Sequence, residues 1–160
     1  MACFIEYEGI EGNCTAEGYE KHIQVDSLQF GVGRGISMEP GNLANREATR
    51  PSLSEVTFTH KTDNSATALF KEAVSGSNGK KVTIKFVQTG ADKLVEFMSY
   101  TLTDVLVSGY SISADGHGDP IESVSLSYSK IEVKYNDYDK SNKSASPQIV
   151  GYDLTTAKAL

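Results

Sequence analysis

Four short stretches of this 160-residue chain carry residue types at spacings that could do chemistry. Gly31 to Gly35, GVGRG, supplies the first two glycines of a dinucleotide-binding turn, but Ile36 stands where the third is needed and no helix signal follows. Ser75 to Lys81, SGSNGKK, has the look of a phosphate-binding loop, yet Val74 takes the place of its first glycine and Lys81 that of its Ser or Thr. It reads as a helix stop and a turn. Asp115 to Pro120, DGHGDP, sets His117 between two acids, but a metal would need ligands converging from elsewhere, and Gly116 and Gly118 suit a hairpin loop better. Asn136 to Asn142, NDYDKSN, offers Asp137, Asp139 and Ser141 at calcium-loop spacing. It lacks the glycine at the sixth position, which is Asn142, and the glutamate at the twelfth, which is Gln148.

Nucleophilic catalysis finds no better footing. There is no G-x-S-x-G turn, and His22, His60 and His117 have no partner visible in the sequence. His60 continues the apolar face of Val56 and Phe58, so it reads as a packing residue at a strand end. Cys3 and Cys14 form no CxxC pair and read as free thiols. On these grounds the chain is expected to be no enzyme, with no catalytic residue, no metal ligand and no cofactor.

The elements that would position any site are mainly strands. Alternating apolar sets recur at Leu28, Phe30 and Val32; at Val56, Phe58 and His60; at Val82, Ile84 and Phe86; and at Val95 and Phe97. In YTLTDVLVSGYSI, Tyr100 to Ile112, the apolar parity runs even, then odd, then even again, which implies strong bending with Gly109 as a pivot. ESVSLSYSKIEVKY, Glu122 to Tyr135, shifts parity once across Ser129 and Lys130 and reads as one strand with a bulge. DNSATALFKEAVSG breaks the pattern. It predicts a helix at about Ser65–Ser75, with Leu69, Phe70 and Ala73 as its buried stripe and Gly76 closing the end. The expected fold is therefore a small antiparallel β-barrel or sandwich of two sheets with one short flanking helix, in a single domain over residues 1–160.

The formal net charge of −6 argues against nucleic acid, whose phosphates demand clustered cations. No apolar run is long enough for membrane insertion, and the N-terminal MACFIEYEGIEG lacks the basic and apolar regions of a cleaved signal. A cytoplasmic product is expected. A long loop at about Arg34–Ser54 follows neither period and holds all three arginines of the chain, Arg34, Arg46 and Arg50. Arginine suits bidentate contacts at interfaces, so this loop could dock on another protein surface.

Behind the apolar faces lie rows of small hydroxyls. Ser123, Ser125 and Ser127 alternate with Val124 and Leu126; Thr57 and Thr59 with Val56 and Phe58; Thr101 and Thr103 with Tyr100 and Leu102; Ser27 and Gln29 with Leu28 and Phe30. A sheet face that stays in water is commonly guarded by Lys and Glu, and these are neutral. Such a face would suit cover by a neighbouring subunit or the wall of a wet passage. Ser and Thr are also ordinary sheet residues.

The order of segments resembles the haemolysin-coregulated protein family, the tube subunits of bacterial type VI secretion systems. EGIEGNCT with IQVDSLQFGV resembles that family's opening strands, and VTFTHKTDNSATALFKEAVSG its strand, turn and helix. VEFMSYTLTDVLVSGYSIS resembles its bent central strands, ESVSLSYSKIEVKY its last long strand, and GYDLTTAKAL its tail. The resemblance implies a homohexameric ring, rings stacked into a tube, a spike protein at the tip, a contractile sheath, and small effector proteins held in the lumen. It implies export through that apparatus without a cleaved signal peptide. It places Ser27 and Gln29 on the lumen, Arg34, Arg46 and Arg50 in a ring-to-ring loop, and Ser125, Ser127, Thr101 and Thr103 on subunit interfaces. The alternatives are a phage or prophage tail tube protein, built on a related plan, and a monomeric ligand-binding barrel of lipocalin type.

Overall fold

The computed structural model describes residues 1–36, 40–41, 50–90, 93–136 and 147–160. Its strands are β1 (Ala2–Tyr7), β2 (Ile23–Val25), β3 (Ser27–Gln29), β4 (Val32–Gly33), β5 (Ser52–Leu53), β6 (Val56–Lys61), β7 (Lys80–Thr89), β8 (Leu94–Ser113), β9 (Ile121–Ser127), β10 (Lys130–Tyr135), β11 (Gln148–Asp153) and β12 (Lys158–Ala159). The helix α1 (Ala66–Ser75) lies between β6 and β7. Mainly β, with two antiparallel sheets and one short helix, is the class expected.

One sheet runs β12-β11-β10-β8-β7-β1-β2, and the other β3-β6-β9-β8. They share β8 and are joined again where β2 runs into β3 through Asp26, whose amide donates to the Thr59 carbonyl at 2.8 Å. The sandwich is thus sealed at two corners by continuous chain and does not close into one hydrogen-bonded barrel. Between the sheets lie Ile5, Ile23, Phe58, Leu69, Leu102 and Leu126, all fully buried. Side chains therefore fill the space that a ligand-binding barrel would leave hollow.

The two parity shifts of the bent strand are both present. β8 pairs with β7 from Thr89↔Leu94 to Lys80↔Val105, with a shift between Leu102 and Val105, where Asp104 sits at φ 61°. It then pairs with β9 with a second shift between Val107 and Gly109. Each extra residue returns the apolar set to the inside while turning the strand, which lets twenty residues serve both sheets.

ESVSLSYSKIEVKY is a different case. It is two strands in two sheets: β9 pairs with β6 and β8 in the smaller sheet, while β10 pairs with β8 and β11 in the larger. The corner is held by Tyr128, whose hydroxyl donates to the Ser54 carbonyl at 2.8 Å, and by the Ser129 amide, which donates to Thr103 at 3.0 Å. A parity change marks both a bulge and a change of sheet, and only long-range partners tell them apart.

The long loop is framed by a two-stranded hairpin, since β4 pairs with β5 through Val32↔Leu53 and Gly33↔Ser52. Residues 37–39 and 42–49 of it lie outside the described residues. In α1, Leu69 is fully buried and Ala73 packs on the core, but Phe70 is 54% exposed. Phe70 sits one position, about 100°, round the helix from Leu69 and reaches only the rim of the core, edge-on to the half-buried Tyr110 at 5.9 Å. Ser65 stands at the N-cap but makes no cap with its hydroxyl, which bonds Asp63 instead.

These burials predict unequal costs. Leu69→Ala should destabilise the fold by about 2 to 5 kcal/mol and Phe70→Ala by under about 1.5 kcal/mol, measured by urea unfolding. Equal losses would contradict the orientation of α1.

Candidate functional site: a charge-free hydroxyl face

The register of the smaller sheet gathers the hydroxyl residues into two rows. One is Ser27–Thr59–Ser123–Ser111 and the other Gln29–Thr57–Ser125–Gly109. Directly paired residues point to the same side, so both rows lie on the face turned away from Val56, Phe58, Val124 and Leu126, which are buried. The Ser27 and Thr59 hydroxyls are 2.5 Å apart and those of Thr57 and Ser125 3.3 Å apart. Side chains that satisfy one another leave a wetted surface with neither ionic charge nor grease. Charged and apolar side chains appear only where the rows end, at Lys61 beside the exposed Ile121, at the exposed Leu106 beside Ser127, and at Glu55, which accepts from Ser108 at 2.7 Å.

Behind this face lies a buried polar cluster. His60 and Glu122 are paired in register, both fully buried, with Nε2 and Oε2 at 2.7 Å. The ring nitrogens make no aligned hydrogen bond, so the contact is a close polar approach inside the core. Tyr110 donates its hydroxyl to Glu122, and Asp63 stands 4.0 Å from the other ring nitrogen while accepting the Ser65 amide at 2.9 Å. Burial, with help from the hydrogen bond to Glu122 and its charge, pushes the Tyr110 phenol up to about 12. The cluster thereby ties β6, β8 and β9 to the start of α1. Its members could supply proton chemistry only if substrate reached them, and His60 and Glu122 expose no surface. We assign it to stability.

Comparison with known proteins decides the family. A family model described as "Type VI secretion system effector, Hcp" matches residues 4–135. The chain belongs to the Hcp family. Among curated relatives, "Protein hcp1" of Pseudomonas aeruginosa is 28% identical over 85 residues, 52% of this chain and 52% of that protein, so the alignment spans about half of each. A solved structure titled as a type six secretion system protein is 25% identical, covers 99% of each chain and superposes with a TM-score of 0.90. Hcp1 from Salmonella typhimurium, 23% identical over 99% of this chain and 98% of its own, gives 0.75 and shares the fold.

Within this Hcp chain the expected site residues fall in three places. Ser27, Gln29, Ser125 and Ser127 share the hydroxyl face. Thr101 and Thr103 do not join them: they lie on β8 before its crossing, beside Glu132 and Lys130 of β10, on a face of mixed charge. Alternation alone could not show this, because one strand contributes to two sheets. Arg34 and Arg50 are exposed just beyond β4 and just before β5, and Arg46 lies outside the described residues. Asp115 accepts the amide of His117 at 2.9 Å, a local turn; Asp137, Asp139 and Ser141 lie outside the described residues. Among the described residues no three His, Cys, Asp or Glu side chains converge on a metal position.

The His60–Glu122 pair was absent from the sequence reading, although a signal existed. Glu122 has the parity of Val124 and Leu126, and His60 that of Val56 and Phe58, so an acid and an imidazole both point into the core. Glu122→Ala should cost about 3 to 5 kcal/mol by urea unfolding, because it strands His60 in the interior. Glu122→Gln should lower the Tyr110 ionisation midpoint from about 12 without returning it to the ordinary value, since burial remains. An unchanged midpoint, followed by NMR of the Tyr110 ring, would contradict the contact.

Proposed function

We propose that this chain is a tube subunit of a type VI secretion apparatus, closing into hexameric rings whose channel is lined by the hydroxyl face. The observation that carries this reading is the absence of ionic charge along Ser27–Thr59–Ser123–Ser111 and Gln29–Thr57–Ser125–Gly109, in a protein whose net charge is −6. A channel wall repeats each side chain around the ring, so one lysine or aspartate would become a belt of like charge and one leucine an adhesive band. Hydroxyls bind water and cargo with comparable strength and hold neither fast. Glu6, Thr83, Thr101 and Glu132 share one row of the larger sheet, which carries the charge and faces outward in this reading.

The role is structural and needs no catalytic step. The ring stacks into a tube, assembles in the cytoplasm, carries small effector proteins in its lumen, meets a spike protein and a contractile sheath, and leaves the cell through the apparatus. The test is mass. Light scattering after size exclusion should give a particle of about 100 kDa, six chains of 17.3 kDa. Ser125→Glu should keep that mass while lowering the amount of cargo recovered with the ring. A 17.3 kDa particle at micromolar concentration would overturn the reading.

A further inference from the structure

The connection from β1 to β2, residues 8–22, closes around one imidazole. Its two limbs run side by side: the Gly12 amide donates to the Lys21 carbonyl at 2.8 Å, Lys21 to Cys14 at 2.8 Å and Cys14 to His22 at 3.2 Å. Gly12 lies so close to the His22 carbonyl that no Cβ would fit there. The His22 side chain, 12% exposed, reaches from this connection to β7. Its Nδ1 is 3.0 Å from the Glu20 carbonyl and its Nε2 is 3.1 Å from Nζ of Lys85, while the Tyr19 ring meets it edge-on at 5.7 Å. A carbonyl only accepts and an ammonium only donates. The two contacts therefore put the proton on Nδ1 and leave a lone pair on Nε2, which is the neutral Nδ1–H tautomer.

We propose that His22 is an acid-released clasp: in this tautomer it accepts from Lys85 and ties the β1–β2 connection to β7, and a second proton on the imidazole breaks the tie. That proton arrives at Nε2, where it faces the Lys85 ammonium instead of accepting from it. Glu6 stands 3.8 Å from Nε2 and offers the proton an acceptor, but the same oxygen already takes Lys85 at 3.0 Å. Keeping both donors on it would hold two cations 3.1 Å apart, so the imidazole gives way. The other charges around it do not remove this conflict. The Lys85 hydrogen bond holds the Glu6 carboxyl below the ordinary range, and Glu20 is held low by hydrogen bonds to the backbone of Glu20 itself and Gly18, so both stay ionised while imidazoles titrate. Lys81, also on β7, adds positive charge near Glu6, and its amide donates to Glu8 at 2.8 Å. Lys21 is turned to Glu11 at 3.7 Å. Acid thus loosens one connection on the larger sheet and leaves the core between the sheets intact. The inference concerns a single chain and holds whether or not copies assemble.

Nitrogen NMR of the unaltered protein reads the tautomer directly. At about pH 8 the His22 imidazole should show a protonated Nδ1 and a bare Nε2, and the reverse would overturn the clasp. Amide exchange reads its release. From about pH 8 to about pH 5 the Gly12, Cys14 and Lys21 amides should lose at least about tenfold in protection, corrected for intrinsic exchange, while core amides of β8 keep theirs. His22→Gln, whose side-chain oxygen can accept from Lys85 and takes no proton, should keep the connection protected at both pH values. Lys85→Met should leave it open at both. A loss shared by the core amides, a loss that persists in His22→Gln, or protection that Lys85→Met does not lower at about pH 8 would overturn the proposal.

Discussion

β8 can belong to two sheets only because its ladders are interrupted at Asp104 and near Ser108, where it turns from one sheet into the other, and the rest of the molecule depends on those two bends. A strand that kept one parity for twenty residues would turn its apolar side to water as soon as it left the first sheet. With an extra residue at each turn, Leu102, Val105, Val107, Val124 and Leu126 all face one interior. The corner at Tyr128 and the kink at Asp26 follow from the same geometry, since β9, β10, β2 and β3 must follow β8 across the gap between the sheets.

This arrangement separates two surfaces by chemistry. The larger sheet presents Glu6 and Lys85, 3.0 Å apart, beside His22 of the loop between β1 and β2, with Lys85 5.7 Å from the centre of the buried Tyr19 ring. The smaller sheet presents hydroxyls. Such a division has no bearing on the stability of one chain, because exposed ion pairs contribute at most about 1 kcal/mol each. In the tube reading proposed above it acquires a purpose, because copies stand side by side and one face becomes common to all of them. The buried His60–Glu122 contact, with Asp63 beside it, holds β6 and β9 of the smaller sheet against the start of α1.

Much of this was legible in the chain. Strand class, the bend around Gly109, the position of α1 and the hydroxyl rows all follow from alternation and from residue type, which are local. Three features were not. The change of sheet at Tyr128 and Ser129 leaves the same parity mark as a bulge, and only the Ser54 and Thr103 carbonyls distinguish them. Thr101 and Thr103 share the alternation of Thr57 and Thr59 but lie in another sheet, a matter of topology. The exposure of Phe70 depends on where the core stops beneath α1, which no helical period reveals. Family membership, by contrast, was carried by the order of whole segments, because each segment alone is an ordinary amphipathic strand.

An electron cryo-microscopy map of the assembled protein tests the central claim most directly, since it shows which sheet faces the channel. The account predicts that the smaller sheet forms the inner wall, with Ser27, Thr57 and Ser125 turned toward the lumen. A map in which the larger sheet lines the channel, or in which those side chains are buried between neighbours, would contradict it.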